Sequence, residues 1–489
     1  MAFLPALCNC AYTVDNIKEK FDDYYFDSVA GQDGLFFPGW YTRSPYNAEG
    51  PLIGLISMYE ATQDEKYIEL ALKNVEKWTL AMRDVDNPPD GHKELIDLGG
   101  ISPFDHDNDQ STQNRVSCLE TQRGARAFAR VARVIKNDNY LNSKSDYGQR
   151  ADAIIQAIKQ DIVNDPFCNE RFEPDFPTNS PYQPLHIISH SAQILLELYL
   201  IEGDATYYVG DKSYTYLQTI KAQAASMKRA MLPQPTDPSA LAWGAVRCRD
   251  LKYTWPDCYY VNFPGRESCN ASCSPEDVSH AQSFIFTATE LYRAGITGTD
   301  GAIIFDRATI DSLAYTFLNK VWNSDWATDE TNKKFFDFID GALEAPCATY
   351  GQWTLGCSIG AGWSGLGAFN QPVHEVVESA EDYEVEYTEE CNGTKTRECS
   401  VKNLPYYGAL ARNLAAKDCL YTNKAKEICD AIDNDCDGII DEGTQCCGNG
   451  TCETALGETF ESCPADCKCG NTECDAGETV SCPQDCQEC

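Results

Sequence analysis

The chain has 489 residues, 43% of them hydrophobic, and this length accommodates two or three domains with a large buried core. Its 39 basic and 75 acidic residues give a formal net charge of −36 at pH 7. A chain this acidic repels nucleic acid and anionic membranes, so we expect cations and not nucleic acid as partners. No apolar run reaches the roughly 20 residues of a transmembrane helix, which predicts that the chain has no transmembrane segment.

Cysteine usage indicates an oxidising compartment. The chain has 25 cysteines, and twelve of them lie between Cys429 and the C-terminal Cys489. Disulfides persist mainly outside the reducing cytosol, and so short a segment has too small a core to fold without cross-links. We therefore expect an extracellular or cell-surface protein, with the odd cysteine free or paired between chains. Asparagines in N-x-S/T sequons, the candidate glycosylation sites, are Asn270, Asn392 and Asn449.

From Pro51 onward, apolar residues recur with the helical period. Leu52, Leu55 and Tyr59 form one stripe, and a second stripe follows the turn TQDE, so this stretch predicts an antiparallel helix pair. Similar pairs follow over 123–162, 192–227 and 284–321, with further helical stretches near 363–369 and 406–416. Repeated pairs bury their faces against their neighbours, and a curved or closed ring of helix hairpins is the simplest packing.

Changes in composition predict the domain boundaries. Residues 380–402 alternate as in a β-hairpin, which we expect to be an insertion in the helical domain. After Asp418 the chain becomes rich in Cys, Asp, Gly and Glu, and it ends in two four-cysteine repeats, CGNGTCETALGETFESCPADC and CGNTECDAGETVSCPQDC. The predicted domains are a helical domain over 1–418, a calcium-binding segment over 419–446 and two repeats over 447–489.

The stretch CDAIDNDCDGIIDEG, residues 429–443, has the spacing of a calcium loop. Carboxylates occupy the first, third, fifth and ninth positions, a glycine allows the turn, and a backbone carbonyl follows it. Thr444 stands at position 12, where glutamate is usual, so another residue must complete the site. The alternative is a merely acidic disulfide loop. The predicted Ca²⁺ ligands are Asp433, Asp435, Asp437, Ile439, Asp441 and Glu442.

These features resemble known groups of proteins. Residues 429–443 resemble the CDGxDNDCDGxxDEG metal-binding motif of secreted surface proteins, departing at Ala431, and the repeats resemble CGNGxCxxGExxxxCPxDC repeats of extracellular proteins. Through PYNAEGPLIGLISMYEATQDEKYIELAL, PLHIISHSAQILLELYLIEGD and EDVSHAQSFIFTATELYRAGI, the N-terminal four-fifths is similar to α/α-toroid proteins related to polysaccharide lyases, uronate epimerases and six-hairpin glycosidases. The resemblance implies a mainly α fold, an α/α toroid of helix hairpins, with a small disulfide-rich, calcium-binding C-terminal region.

One of the six histidines, His280, follows Asp277 and Ser279 where a helix pair begins. A loop-to-helix junction that faces the ring axis can place an imidazole beside a sugar as general base or acid. The alternative interpretation is that Asp277 or Ser279 caps the helix and His280 packs structurally. Hydrolysis would instead need two carboxylates across a cleft, for which Glu120 and Asp277 are the candidates.

The resemblance also implies roles for residues before the helices. In the resembled lyases and epimerases, a Tyr or His removes the proton next to a uronate carboxylate that Asn, Gln or Arg neutralises. Carried over to this sequence, the proton-transfer candidates are Tyr46, which precedes the first helix pair, and His280. The corresponding carboxylate partners are Asn47 and Arg115.

Further candidates for contact with a glycan come from residue type and spacing. Aromatic rings stack on sugar faces, which makes Trp255, Tyr259 and Tyr260 candidates. His186 and His190 share one helical face, but no third ligand accompanies them, so His190 is expected to serve a structural or sugar-contacting role instead of binding zinc. A basic stripe at helical spacing is expected to be a solvated face paired with acids, or else a contact for an anionic glycan: Arg123, Arg126, Arg130 and Arg133.

Two functions fit these observations. The first is a secreted carbohydrate-binding or carbohydrate-active protein, a lyase or epimerase on uronate-containing polysaccharide, stabilised by calcium and disulfides. The net charge opposes capture of a polyanion unless the cleft is locally basic or calcium bridges the carboxylates. The second is a non-catalytic subunit of a surface layer, matrix or filament, a homopolymer assembled through calcium- and disulfide-stabilised modules.

Overall fold

The fold is built mainly from helices. By its contacts, the chain divides into two units, Met1–Ala415 and Ala416–Cys489. A computed structural model describes parts of the first unit only. The described residues are 12–36, 45–81, 118–144, 146–165, 168–176, 185–234, 237–243, 276–324, 335–336, 339, 359–381, 384–390, 394–400 and 403–415.

Most of the described residues lie in helices. Single π-helical turns extend α1, α6 and α10, and a 3₁₀ turn extends α11. The helices are α1 (Val14–Tyr24), α2 (Pro45–Thr62), α3 (Lys66–Ala81), α4 (Cys118–Asn137), α5 (Asn139–Ser143), α6 (Tyr147–Ile158), α7 (Leu185–Glu202), α8 (Tyr216–Ala230), α9 (Val278–Arg293), α10 (Arg307–Thr316), α11 (Gly360–Gly365), α12 (Gln371–Ser379) and α13 (Leu404–Ala415).

Among the described residues, three antiparallel hairpins supplement the helices. The last hairpin lies in the stretch where alternation indicates an insertion. At several helix starts a Thr, Asp or Asn side chain accepts a hydrogen bond from a free backbone N–H, as at Thr13, Asp277 and Asp306. The paired strands are β1 (Thr206–Val209) with β2 (Lys212–Thr215), β3 (Leu232–Gln234) with β4 (Asp237–Ala242), and β5 (Glu384–Glu390) with β6 (Thr394–Ser400).

The helices form two concentric layers. In the inner layer α2, α4, α7, α9, α11 and α13 each pack against the next, and α13 packs back against α2, so the layer closes into a ring. The helices between them in sequence pack outside: α1 and α12 against α13, α3 against α2, α6 against α4, α8 against α7 and α10 against α9. The described residues therefore confirm the predicted α/α toroid, and α11 and α13 complete the ring where the sequence indicated further helices.

Two features differ from the sequence prediction or add to it. Helix α2 begins at Pro45, earlier than the period from Pro51 predicts, because proline is well tolerated in a first helical turn. Tyr46 therefore lies within the first turn of α2 and does not precede the helix. A disulfide joins Cys118, at the start of α4, to Cys168, beyond the end of α6.

The ring closes along a seam of glycines between α2 and α13. A Cβ atom on Gly54 would lie 2.7 Å from the main-chain carbon and oxygen of Leu404, and one on Gly408 would lie 2.8 Å from the carbonyl oxygen of Gly54. Side chains never approach a backbone so closely, so only glycine permits this spacing. The first and last inner helices are thus in direct backbone contact.

A buried charge cluster fills the axis near the C-terminal ends of the inner helices. Arg130 of α4 is 1% exposed and lies 2.5 Å from Glu290 of α9, 2.9 Å from Glu60 of α2 and 3.6 Å from Glu197 of α7. Arg412 of α13 reaches Glu60 at 3.0 Å. Burial alone would raise the pKa of Glu290, but the surrounding guanidinium groups, Arg130 first, hold it well below its usual range.

The basic stripe of α4 is therefore not solvated, and that prediction was wrong. Arg126 and Arg130 are buried, although they are paired with acids as expected. An inner helix packs against both neighbours and against the outer layer, so its one polar strip faces the axis and not the solvent. Sequence spacing identified the strip but not the side on which it would lie.

We expect Gly54→Ala to destabilise the helical domain. The added methyl would force the α2 and α13 backbones apart, and overpacking of this kind costs about 1–3 kcal/mol, more than the gain of up to about 1 kcal/mol from helix propensity. Thermal unfolding followed by circular dichroism should show a Tm lowered by about 1–2 °C. Gly365→Ala is the matched control, because nothing lies within 4 Å of its added Cβ. An equal loss of Tm in both variants would contradict the claim that the α2–α13 contact requires glycine at position 54.

Candidate functional site

The candidate site lies at the other end of the axis, where the inner helices begin. His186 and His190 lie in the first two turns of α7, and His280 lies in the first turn of α9. Glu276 and Asp277 immediately precede α9. We call these five residues the histidine cluster.

Asp277 and His280 form a carboxylate–imidazole pair at the start of α9. Asp277 caps the helix: its Oδ1 accepts from the His280 backbone N–H at 3.0 Å and from the Ser279 hydroxyl at 2.6 Å. Its Oδ2 lies 2.6 Å from Nδ1 of His280. The capping and the catalytic interpretations of this junction are therefore compatible, because the residue that caps the helix also orients the imidazole.

The two pKa values in this pair shift in opposite directions. Burial would raise the pKa of Asp277, but the His280 charge and the hydrogen bonds outweigh it and lower the pKa to about 2. Burial would lower the pKa of His280, but the charge and hydrogen bond of Asp277 outweigh it and raise the pKa above 6.5. The His280 side chain is still 40% exposed, and no described residue bonds its Nε2.

A second pair lies directly beside the first. Nδ1 of His186 hydrogen-bonds Oε1 of Glu276, and the indole N–H of Trp243 donates to Oε2 of the same carboxyl group. Burial, aided by the charge of Asp277, raises the pKa of Glu276 to about 8. Burial and the neighbouring His280 hold the pKa of His186 well below 6.5. The His186 and His280 rings stack with centroids 4.6 Å apart.

His190 and two arginines lie close to His186. His190 is buried, its ring lies 6.2 Å from that of His186, and neither of its nitrogens has a hydrogen-bond partner among the described residues. Burial and the nearby Arg126 hold its pKa well below 6.5. Arg123 and Arg126 both bind Glu49 of α2, and Arg126 also donates to Ser283 of α9.

Of the residues proposed from sequence, the structure brings together His280, Asp277 and His190. Sequence reasoning gave no role to Glu276 or Trp243. Glu276 stands within the EDxSHA run, but nothing local indicates that its carboxyl is buried against His186. Trp243 directly follows β4, 33 residues before Glu276, and only the fold places its indole beside the Glu276 carboxyl group.

The remaining sequence-based predictions depend on residues that the structure does not describe in full. For Tyr46 and Asn47 in the first turn of α2, and Glu120 in the first turn of α4, the backbone is described and the side chain is not. The other predicted residues lie outside the described residues: Arg115, Trp255, Tyr259, Tyr260, the sequon residues Asn270, Asn392 and Asn449, and the ligands Asp433, Asp435, Asp437, Ile439, Asp441 and Glu442.

Two further properties concern metal binding and membrane insertion. Within the part of the chain that the structure describes, no group of three His, Cys, Asp or Glu side chains is arranged to hold a metal ion. None of the helices described is both long and apolar enough to cross a membrane. The histidine cluster can transfer protons, because one imidazole is oriented by an ionised carboxylate and a second is bonded to a buried carboxyl group.

Comparison with known proteins gives one matching sequence motif and two solved structures. Residues 420–442 match the Cu-binding MopE family model, described as "Putative metal-binding motif". No curated protein matches the chain. An inactive variant of the α-1,6-mannanase GH76A of Salegentibacter sp. HEL1_6, in complex with α-1,6-mannotetrose, is 14% identical with a TM-score of 0.40, over 84% of this chain and 100% of its own. A polysaccharide lyase is 13% identical with a TM-score of 0.42, and the match covers 85% of this chain and 98% of the lyase.

We expect Asp277→Asn to lower the pKa of His280. Asparagine caps a helix about as well as aspartate, so the change removes the negative charge and keeps the fold. NMR titration of the histidine ring protons should show the His280 resonance titrating above pH 6.5 in the wild type and lower in the variant. The resonance is assigned by its loss in His280→Gln.

The same pair makes stability depend on pH. The raised pKa of His280 stabilises the fold fully below its unfolded value near 6.5, and this contribution is lost as the pH rises through the raised folded value. The lowered pKa of Asp277 stabilises the fold above about pH 3.8, and that contribution is lost as the pH falls towards about 2.

An Asp277→Asn variant whose His280 titrates as in the wild type would show that the pair is not ionic.

Proposed function

We propose that this chain is a secreted carbohydrate-active protein, a lyase or epimerase that acts on uronate-containing polysaccharide with His280 as its proton-transfer residue. The observation that carries the proposal is the Asp277–His280 pair, in which an accessible imidazole is oriented by an ionised carboxylate at the 2.6 Å contact. This arrangement is the one that makes histidine an effective general base, because the carboxylate stabilises the imidazolium that forms.

The hydrogen bonds of Asp277 favour proton transfer over hydrolysis. Both oxygens of Asp277 already accept hydrogen bonds, one from Ser279 and the His280 backbone and the other from the His280 ring. A carboxylate engaged in this way orients its neighbour and is poorly placed to attack a sugar or activate a water molecule. The predicted pairing of Glu120 with Asp277 as hydrolytic carboxylates is therefore the weaker proposal.

In the proposed reaction, neutral His280 removes the proton from the sugar carbon next to the uronate carboxylate. In a lyase, the electron pair left on that carbon forms a double bond as the glycosidic oxygen leaves. In an epimerase, a proton returns to the opposite face of the same carbon. Tyr46 is proposed as the second proton-transfer residue and Asn47 and Arg115 as carboxylate partners. The residues proposed to hold the sugar rings are His190, Trp255, Tyr259 and Tyr260.

Two arginines close to the histidine cluster offset part of the negative charge of a chain whose net charge is −36. Arg123 and Arg126 lie close enough to the histidine cluster that both lower the pKa of His186 and His190. Both arginines pair with Glu49, so they offset the charge of Glu49 and Asp277 and leave the site close to neutral. So acidic a protein can bind a polyanion where the local charge is not negative or where calcium bridges the carboxylates.

Calcium is proposed as the metal of the motif over residues 420–442. The predicted ligands, Asp433 to Glu442, offer carboxylate and carbonyl oxygens, which suit a hard cation, whereas copper prefers nitrogen and sulfur ligands. Calcium would stabilise the segment between the helical domain and the two four-cysteine repeats. It takes no part in the proton transfer.

The first test measures reaction products from pectin, alginate and heparan-type polymers. We expect ultraviolet absorbance from unsaturated uronate, or, for an epimerase, exchange of solvent deuterium into the sugar. Asp277→Asn should lower the rate by about 10²- to 10⁴-fold, the usual contribution of general acid–base catalysis. Asp306→Asn, at the corresponding cap of the outer helix α10, is the matched control and should match the wild type. No product and no exchange with any polymer would reject the enzyme, and polymerisation on addition of calcium would then favour the structural subunit.

The second test measures metal binding by calorimetry. We expect Ca²⁺ to bind with a Kd of about 10⁻⁴ to 10⁻³ M, as in extracellular calcium modules, and Asp433→Asn to weaken it strongly. Asp211→Asn, in the exposed turn between β1 and β2, is the control. Binding of Cu²⁺ that Asp433→Asn abolishes, without any Ca²⁺ binding, would assign the motif to copper.

A further inference from the structure

We infer that Glu276 is a neutral carboxylic acid held in place by Trp243. Its proton is donated to Nδ1 of His186, so His186 is a neutral imidazole protonated on Nε2 and lies beside the base His280. Glu276 and Trp243 are thus positioning residues, and His186 is a hydrogen-bond donor and not a second base. The catalytic part of this inference rests on the proposed function. The protonation part does not.

Hydrogen-bond accounting restricts the state of Glu276. The indole N–H of Trp243 can only donate, so Oε2 of Glu276 must accept. The other oxygen faces Nδ1 of His186, and one proton lies between them. The pair is therefore a carboxylic acid with a neutral imidazole protonated on Nε2, a carboxylate with an imidazolium, or a carboxylate with a neutral imidazole protonated on Nδ1.

The neighbouring pair decides between these states. His280 stacks on His186 at 4.6 Å and becomes an imidazolium paired with Asp277 when it takes up a proton, so a second imidazolium at His186 would be repelled. Asp277 adjoins Glu276 in sequence and is negatively charged, so it disfavours a second carboxylate. Glu276 is fully buried, and Arg123 and Arg126 on α4 add further positive potential at His186. The raised pKa of Glu276 and the lowered pKa of His186 agree with the neutral pair.

The neutral pair gives the two stacked histidines different roles. Because Nδ1 of His186 accepts from Glu276, the ring proton must be on Nε2, and no described residue bonds that atom. His280 has the opposite pattern, with Nδ1–H donated to Asp277 and Nε2 available as a base. One ring can then take a proton while the other donates a hydrogen bond to a substrate oxygen that gains negative charge.

The test compares Glu276→Gln with Glu276→Leu. Glutamine reproduces the neutral acid, because its amide oxygen accepts from Trp243 and its NH₂ group donates to Nδ1 of His186. NMR of isotope-labelled histidine should show His186 protonated only on Nε2 at neutral pH in the wild type and in Glu276→Gln. Activity should stay within a few-fold of the wild type in Glu276→Gln and fall about 10²-fold or more in Glu276→Leu. Circular dichroism confirms that both variants are folded.

The ionic alternative gives opposite results. It requires both nitrogens of His186 to be protonated in the wild type, and it predicts that Glu276→Gln, which cannot balance an imidazolium, loses activity as Glu276→Leu does. A carboxylate with a neutral imidazole requires His186 to be protonated on Nδ1 alone. Any of these results would overturn the inference. If the wild type proves inactive on every polymer, the proposed function fails, but the NMR result still tests the inference alone.

Stability provides a readout that is independent of activity. A carboxyl group whose pKa rises from 4.5 to about 8 on folding destabilises the fold progressively as the pH rises through that window. Glu276→Gln removes this effect, so its Tm should rise relative to the wild type between about pH 4.5 and pH 8. A constant difference in Tm across the window would contradict a neutral Glu276.

Discussion

The closed inner ring is the constraint on which the rest of the structure depends. Each inner helix packs against two neighbours and an outer helix, so only one strip of its surface is free to be polar, and that strip faces the axis. Polar groups on the axis are removed from water and must find partners there. The chain meets this requirement differently at the two ends of the ring.

Near the C-terminal ends of the inner helices, the charges neutralise one another. Arg130 alone contacts carboxylates from three other inner helices, so the cluster ties the ring together across its axis. Breaking such a buried cluster would leave uncompensated charges, which typically costs about 3–5 kcal/mol. The charge cluster at this end of the ring is therefore structural. Its internal pairing explains why a buried arginine stripe need not indicate an anionic ligand.

Where the inner helices begin, hydrogen-bonding capacity remains available. Nε2 of His280, Nε2 of His186 and both nitrogens of His190 have no bond to any described residue. Asp277 and Glu276 are fully engaged, but each serves to orient a histidine. An oriented group with an available atom can act on a ligand, which is why we assign the chemistry to this end of the ring.

The sequence by itself determined the helix hairpins, the β-hairpin stretch, the cysteine-rich tail and the acidic metal-binding motif, because each depends on local periodicity, composition or spacing. It also identified His280 with Asp277, since a cap and the residue three positions later are neighbours in any helix. Only the tertiary structure decided that Arg126 and Arg130 are buried, that α2 meets α13 at Gly54, and that His186 and Trp243 meet Glu276. These contacts join residues 33 to several hundred positions apart. Ring closure, which no local pattern encodes, brings them together.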